Sequence, residues 1–476
     1  MSVTAIEQDQ SFLSRTAQRC CAWSERWFPD AFAFAIVAVA VVAAGAVLIG
    51  APAASVAQSF GSGFWSLIPF TMQMTFIIIG GYVVADSPPV ARAVERLAAW
   101  PRTGRGAIAL VAAASATMSL IHWGLSVVFT CLLVRALARR SELPMDYRAA
   151  GAAACTGLGS VWALGLSSSA AQLQANPGSM PPALLAETGV IPFSGTIFLW
   201  QSAVCAVILA VTATWIAWKT APGESAAQTA QKLGIDPLER PSGASRTRPG
   251  EWLEFSPLPA LFIALLGAGY LVMEFAAKGA VATISNLNTY NFLFIILGLA
   301  LHWRPRRFMD SVARAVPSAA GVLIQFPFLG AIAGMLTGAK NPAGEALSSL
   351  LGHAFTQIAS HATFAPIIGV YSALLGLFVP SGGGKWIIEA PYVMHAANAL
   401  QYNLGWTVQI YNAAEALPNL INPFWMLPIL GILKLRARDL IGFTMIQFTI
   451  TLPLVLVLLW LLGATLAYAP PVIPAH

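Results

Sequence analysis

Few ionisable side chains fall inside the long apolar stretches of this chain: His122, Lys385, Glu389, His395 and Glu415. Such groups are costly in hydrocarbon and mark ion and substrate paths by default. Glu415 has no local partner of opposite charge. It is a candidate to take up a coupling proton or to help hold Na+; the alternative is an interior hydrogen bond. Lys385 and Glu389 are four residues apart and would face each other on a helix. They either neutralise one another or leave Lys385 to a substrate. His122 sits at a break, in Ile121-His122-Trp123-Gly124-Leu125-Ser126, and is a candidate substrate contact. His395 reads as ordinary. His353 and His361 lie on its outer approach, and no metal site is expected there.

The backbone offers more chemistry than the charges do. Val379-Pro380-Ser381-Gly382-Gly383-Gly384-Lys385-Trp386 interrupts an apolar run with three successive glycines. Each weakens a helix by about 1 kcal/mol, which makes sense where a ligand must approach main chain closely; the alternative is a tight turn with glycines used for packing. The pattern is not a P-loop. A second break holds Gly157, Gly159, Trp162, Gly165 and Ser167, Ser168 and Ser169; a third holds Asn412, Glu415, Pro418, Asn419, Asn422 and Pro423. Proline removes an amide donor and disrupts a helix. Asn419 and Asn422 can replace the lost bonds or coordinate a ligand, and the three serines are either contacts or ordinary helix-packing material. Half-helix starts expose N–H groups with partial positive charge, which hold a carboxylate without a buried Arg or Lys. Free carbonyls at half-helix ends can hold a cation.

These breaks need a membrane around them. Of the 476 residues 57% are apolar and 10% charged, against about 25% charged in soluble domains; mean hydropathy is +0.70. A soluble enzyme, a disordered chain and a nucleic-acid binder are excluded. The five cysteines, Cys20, Cys21, Cys131, Cys155 and Cys205, follow no metal-ligand spacing. No cleavable signal peptide is visible at the N-terminus. Stretches long enough for the roughly 20 residues a span requires are 31–50, 64–85, 194–218, 256–275, 288–303 (short), 315–337 and 439–468; the interrupted ones are 106–138, 149–173, 362–400 and 407–433. With the N-terminus inside and 106–138 and 362–400 entering and leaving by one side, all of the 26 Lys and Arg except Lys278, Lys340 and Lys385 fall on the inner side, as the positive-inside rule demands. A single crossing at 106–138 would strand a group of arginines outside. The net charge of +6 is therefore a topology signal. Nine crossings and two hairpins result, with the C-terminus outside.

The expected fold is all-α and polytopic: a cytoplasmic segment 1–30, a first repeat 31–218, a cytoplasmic linker 219–255, a connecting span and loop 256–287, and a second, inverted repeat 288–476. Each repeat runs span, span, re-entrant hairpin, broken span, span. A weak echo, Gln73 before Gly80-Gly81 and Gln325 before Gly330, supports the repeat. Inverted repeats with broken helices are the signature of secondary transporters, with the site near the midplane.

Phe64-Trp65, Met72-Gln73-Met74, His122-Trp123-Gly124, Val322-Leu-Ile-Gln325-Phe326-Pro327-Phe328, Pro380 to Gly384, and Asn422-Pro423-Phe424-Trp425 resemble the short-chain fatty acid transporter family, typified by bacterial acetoacetate/butyrate-type carriers of the ion transporter superfamily. The resemblance runs from about Trp27 to the last span. It implies ion-gradient-driven uptake of short monocarboxylates across the bacterial inner membrane, a homodimer, and an elevator-type motion. Trp162 is followed here by Ala-Leu-Gly165-Leu-Ser167 in place of a Gly-rich run, and Lys385 stands where members can have a neutral or weakly basic residue; both bear on substrate size and charge. The expected carboxylate site comprises Ser381, Gly382, Gly383, Gly384, Lys385, Asn419 and Asn422, with His122, Ser167, Ser168 and Ser169 opposite, a short acyl tail on Trp123, Trp162 or Trp386, and Glu415 for coupling. No cofactor is expected beyond Na+ or H+ as coupling ion. The competing substrate is a dicarboxylate or amino-acid conjugate. An intramembrane hydrolase or acyltransferase built on His122 and a serine is the remote alternative, without a nucleophile motif to support it.

Overall fold

The computed structural model describes residues 31–237, 246, 248–379 and 381–473; residues 1–30, with Cys20 and Cys21, and also Arg240 and Pro380, lie outside them. Among the described residues there is no sheet, only helices and two isolated bridges. The principal helices are α1 (Ala31–Leu48), α2 (Ala53–Ser66), α3 (Ile68–Ala85), α4 (Pro88–Ala98), α5 (Gly104–Ile121), α6 (Trp123–Ala138), α7 (Tyr147–Ala154), α8 (Ser169–Ala175), α9 (Pro182–Thr188) and α10 (Trp200–Thr220). After a loop follow α11 (Pro257–Lys278), α12 (Leu287–His302), α13 (Pro305–Gly338), α14 (Leu347–Ile358), α15 (Phe364–Phe378), α16 (Gly382–Ala399), α17 (Leu404–Ala416), α18 (Pro423–Leu433) and α19 (Ala437–Gly463). Helices cover each of the apolar stretches expected from sequence, those at 31–50 and 288–303 by helices shorter than a full span. The largest differences are early starts: the span expected at 64–85 begins at Ala53, and that expected at 315–337 begins at Pro305, where proline suits a first helical turn.

Among the described residues six helices are long and apolar enough to cross a membrane, and the bent pair Leu404–Leu420 with Trp425–Leu433 adds a seventh; most of α1, and α6, α12 and α15, are shorter apolar helices. Apolar side chains face outward along α10 and α11, among them Val207, Val211, Leu265 and Val272. On α10 exposed Trp200 and Trp218 bracket this band. They stand about 27 Å apart at 1.5 Å per residue, close to the hydrocarbon thickness of roughly 30 Å, as aromatic belts do. The chain is a multi-pass membrane protein.

The early start of α2 has a packing reason. α2 lies against α13 along a seam of small residues. A Cβ on Gly63 would stand 2.6 Å from the Gly330 carbonyl oxygen and 2.9 Å from the Gly334 Cα. Small residues let backbones approach where lipid removes any hydrophobic drive for helix association. Gly63→Val should therefore destabilise the protein by about 1–3 kcal/mol, seen as a lower melting temperature in detergent. Gly61→Val, two residues back on the opposite, open face of the helix, should melt close to the parent.

Two helical hairpins organise the centre. In the first, α5 and α6 run antiparallel about His122: Ser126 Oγ donates to the Ser115 carbonyl at 2.8 Å, and Arg140 Nη1 donates to the Ala98 and Pro101 carbonyls at 2.8 and 2.9 Å. The chain thus enters and leaves this hairpin at one end, beside the start of α19, because Tyr147 Oη donates to the Leu433 carbonyl at 3.3 Å and Gly151 faces Leu433, Leu435 and Leu440. In the second, α15 and α16 are joined by Tyr371 and Tyr392 hydroxyls at 2.7 Å. Its open end meets at Phe364 and Tyr402, with ring centroids 4.8 Å apart. Tyr402 in turn faces Gly463, the last residue of α19. That helix, 27 residues long, spans about 40 Å. The two hairpins therefore open at opposite ends of the molecule and bring their tips together between them.

Candidate substrate site

The tips meet at a cavity of about 400 Å³. Each element contributes one helical face. On α3 this is Met74, Ile78 and Tyr82; on α6 it is Trp123, Gly124, Val127 and Val128; on α13 it is Pro317, Ser318, Gly321, Val322, Gln325 and Phe326. Leu158, Trp162 and Ser169 come from the first broken segment, Ser381, Gly382 and Gly383 from the second hairpin tip, and Trp425, Leu427 and Pro428 from α18. Among the described residues no acidic, basic or histidine side chain lines it. Its size lies at the small end of small-molecule sites.

Main-chain donors replace the missing cation. Ser381 is the N-cap of α16: its Oγ accepts from Gly384 N at 3.2 Å, and its carbonyl accepts from Lys385 N at 2.8 Å. Among the described residues the amides of Gly382 and Gly383 have no partner, as the geometry of a helix start requires. The glycines are needed because neighbours press on the main chain. A Cβ on Gly382 would come within 2.6 Å of the Trp162 ring, and one on Gly383 within 2.9 Å of the Phe70 ring and 3.0 Å of Ser169 Cβ. The first turn of α6 reaches the same cavity with Trp123 and Gly124. Two helix N-termini thus present positive dipole ends to one apolar space. Trp162 Nε1, buried and without a partner among the described residues, is a further N–H beside it.

Of the residues expected from sequence, the cavity brings together Trp123, Trp162, Ser169, Ser381, Gly382 and Gly383. The others surround it without lining it. Gly384 backs onto Leu329 and Ser381. His122 ends α5 and caps α6, its Nδ1 accepting from Leu125 N at 3.3 Å while its ring packs against Tyr290 and Phe294. Ser167 Oγ accepts from Trp123 N at 2.9 Å and Ser168 Oγ from Ala171 N at 3.3 Å, so both cap helices. Asn419 Nδ2 donates to the Leu158 carbonyl at 3.0 Å, tying the second break to the wall formed by the first. Asn422 Nδ2 donates to the Leu377 carbonyl at 3.3 Å. Trp386 lies behind the tip against Tyr411, at 4.7 Å between rings.

The ionisable residues form a buried group behind α16. Lys385 Nζ donates to the Ser372 carbonyl at 2.6 Å, lies 3.3 Å from Glu389 Oε1 and sits 4.7 Å above the Tyr411 ring. Ser372 Oγ donates to Glu389 Oε2 at 2.5 Å. Tyr411 Oη donates to the Gly382 carbonyl. Glu415 Oε2 has no hydrogen-bond partner among the described residues and stands 3.3 Å from where a Gly382 Cβ would be. No group of three or more metal-ligating side chains exists among the described residues. Sequence reasoning missed the contributions of α3 and α13 and the lining role of Trp425. On α13 the signal was present as small and polar residues, Ser318, Gly321 and Gln325, recurring at helical spacing.

Helix starts converging on an apolar cavity inside a multi-pass helical bundle define the protein as a membrane transporter. Solved structures agree in fold. The YdaH transporter of Alcanivorax borkumensis, described as having an unusual topology, aligns with a TM-score of 0.56 at 16% identity, over 93% of this chain and 100% of that one. MtrF of Neisseria gonorrhoeae, from a class described as antimetabolite efflux pumps, aligns at 0.54 and 14%, over 95% and 97%. The short chain fatty acid transporter family matches residues 12–462. A protein named for short-chain fatty acid transport in Escherichia coli is 34% identical over 430 residues, covering 88% of this chain and 92% of its own; its namesake in Haemophilus influenzae is 30% identical over 458 residues, covering 94% and 100%. The chain belongs to the short-chain fatty acid transporter family.

Proposed function

We propose that the chain is a secondary active carrier of short-chain monocarboxylates, such as butyrate or acetoacetate, coupled to an H+ or Na+ gradient across the bacterial inner membrane. The observation that carries this is the pair of unpartnered amides at Gly382 and Gly383, set in the wall of an apolar cavity without side-chain charge. A single carboxylate needs such donors, and a short acyl tail needs the aromatic wall of Trp123, Trp162 and Trp425. Ser381 and Ser169 add hydroxyls at the same end. A dicarboxylate or amino-acid conjugate would bring a second charge that no lining residue answers. Glu415 is the proposed acceptor of the coupling ion.

The packing of the two halves supports an inverted repeat. α5 packs on α6, α7 and α10, and α15 packs on α16, α17 and α19; α3 meets α6 as α13 meets α16. In this reading both hairpins are re-entrant, and one body carries the tips past a dimeric scaffold. The N-terminus is cytoplasmic and the C-terminus periplasmic.

A thermal-shift screen of purified protein against straight-chain acids of two to six carbons, with and without Na+, tests the substrate class, since a ligand of the folded state raises its melting point. Each methylene buried contributes about 0.8 kcal/mol, so affinity should rise about fourfold per added carbon until the tail reaches the far wall. Succinate should not compete. Stabilisation by succinate, or none by any monocarboxylate, would overturn the reading.

A further inference from the structure

We infer that the carrier takes one proton onto Glu415 with each monocarboxylate anion and releases the two together, so that a complete transport cycle moves no net charge. This rests on the carboxylate reading of the cavity and goes beyond it in naming the ion and its stoichiometry.

The starting point is a charge count behind α16. Lys385 and Glu389 are fully buried and form an ion pair. Glu415, also buried, is left as the unbalanced charge. Lys385 and Glu389 are the charges that reach it. Lys385 is already committed to Glu389, to the Ser372 carbonyl and to the Tyr411 ring. The other elements against α17 supply little. α15 contributes Tyr371, bonded to Tyr392 of α16; α8 and residues 162–164 hold no acid or base, and the charges of α19, Arg438 and Asp439, are confined to its first turn. Farther along α16, His395 pairs with Glu187 near the helix end.

The second observation is position. The unpartnered Glu415 oxygen lies directly behind Gly382, whose amide opens α16. A carboxylate held by the Gly382 and Gly383 amides therefore places its negative charge within about one side-chain length of Glu415. In apolar surroundings two carboxylates so close do not both stay ionised. A proton from water must accompany the anion. The Glu415 oxygen accepts it because no other group occupies that oxygen, and the O–H bond formed on loading breaks when the acid leaves. Empty, the cluster carries Lys385 positive with Glu389 and Glu415 negative. Loaded, Glu415 is neutral and the substrate carries the charge instead. The net charge inside the membrane is the same in both states, so charge carried across by the loaded step is carried back by the empty return, and the membrane potential gives the complete cycle no net drive. Na+ would face a Lys385 ammonium nearby, and ring carbons of Trp162 share the space around Gly382.

The experiment uses the purified full chain in weakly buffered detergent solution at alkaline pH, where added butyrate is wholly anionic, with a pH indicator to count protons. One proton should be taken up per butyrate bound, and affinity should fall by about tenfold per pH unit at the alkaline end, the linkage limit for one proton. In proteoliposomes an acid gradient should drive uptake, and an imposed potassium-diffusion potential should not change the accumulation it reaches. Glu415→Gln should abolish the proton uptake and flatten the pH dependence of binding. Binding without proton uptake, accumulation that follows voltage or requires Na+, or proton uptake that survives in Glu415→Gln would overturn the inference while leaving the carboxylate site standing. Should the variant not fold, the wild-type proton count decides alone. Absence of binding by any short acid would overturn the site and the inference together.

Discussion

Gly383→Leu should reduce butyrate uptake at least about a hundredfold while leaving the protein folded. A side chain here meets Phe70 at 2.9 Å and Ser169 Cβ at 3.0 Å. Phe70 cannot yield easily, since it is fully buried and stacked on Phe326 at 5.8 Å. The clash is at Cβ, which no rotamer relieves, so the tip must shift toward the cavity, where the leucine covers the Gly382 and Gly383 amides and takes the room of the acyl tail. Losing two hydrogen bonds to a charged group costs about 1.5–3 kcal/mol each, enough for the expected drop even without the steric term. Gly431→Leu is the matched control, because a side chain there meets nothing within 4 Å. Uptake and size-exclusion profiles of both variants make the comparison. Full activity of Gly383→Leu would remove the site from the hairpin tip.

Lys385→Met should destabilise the protein strongly. The ammonium is fully buried, and its removal leaves Glu389 and Glu415 without a cation. Breaking a buried ion pair by removing one partner costs about 3–5 kcal/mol, whereas replacing both partners by apolar residues is often neutral. The single variant should therefore melt far below the parent or fail to accumulate. The double variant Lys385→Met with Glu389→Leu should recover most of the loss. Fluorescence-detected melting of the three proteins tests this. Equal melting points for the parent and the single variant would show that Lys385 is not the structural partner of Glu389 and would return it to the substrate.

Much of this was legible before any coordinates. The spans follow from apolar length, and the hairpin at 106–138 follows from the side on which its arginines must lie; Arg140 bonded to the Ala98 and Pro101 carbonyls shows its two ends adjacent. The glycine triplet marked the tip, because three helix-weakening residues in an apolar run have few other uses. Less legible was the division of labour among the polar residues at the breaks. His122, Ser167 and Ser168 have the right chemistry to meet a substrate, but each satisfies a helix start instead. Broken backbone needs the same hydrogen-bonding groups that a ligand needs, so residue type cannot separate the two roles. Asn419 is a like case, spent on the Leu158 carbonyl. The α13 face was hidden for another reason. Its residues are distant in sequence from both tips, and only tertiary packing brings Gln325 and Phe326 to the cavity that Gly383 lines.

The most direct test is competition at the tip itself. Ser381→Cys, in a background whose native cysteines are replaced by serine or alanine, should react with a small maleimide, because Ser381 lines the cavity. Butyrate should slow that reaction, with half-protection at the concentration that half-saturates uptake, and succinate should not. A labelling rate unchanged by butyrate at concentrations that saturate uptake would place the substrate elsewhere and contradict the account.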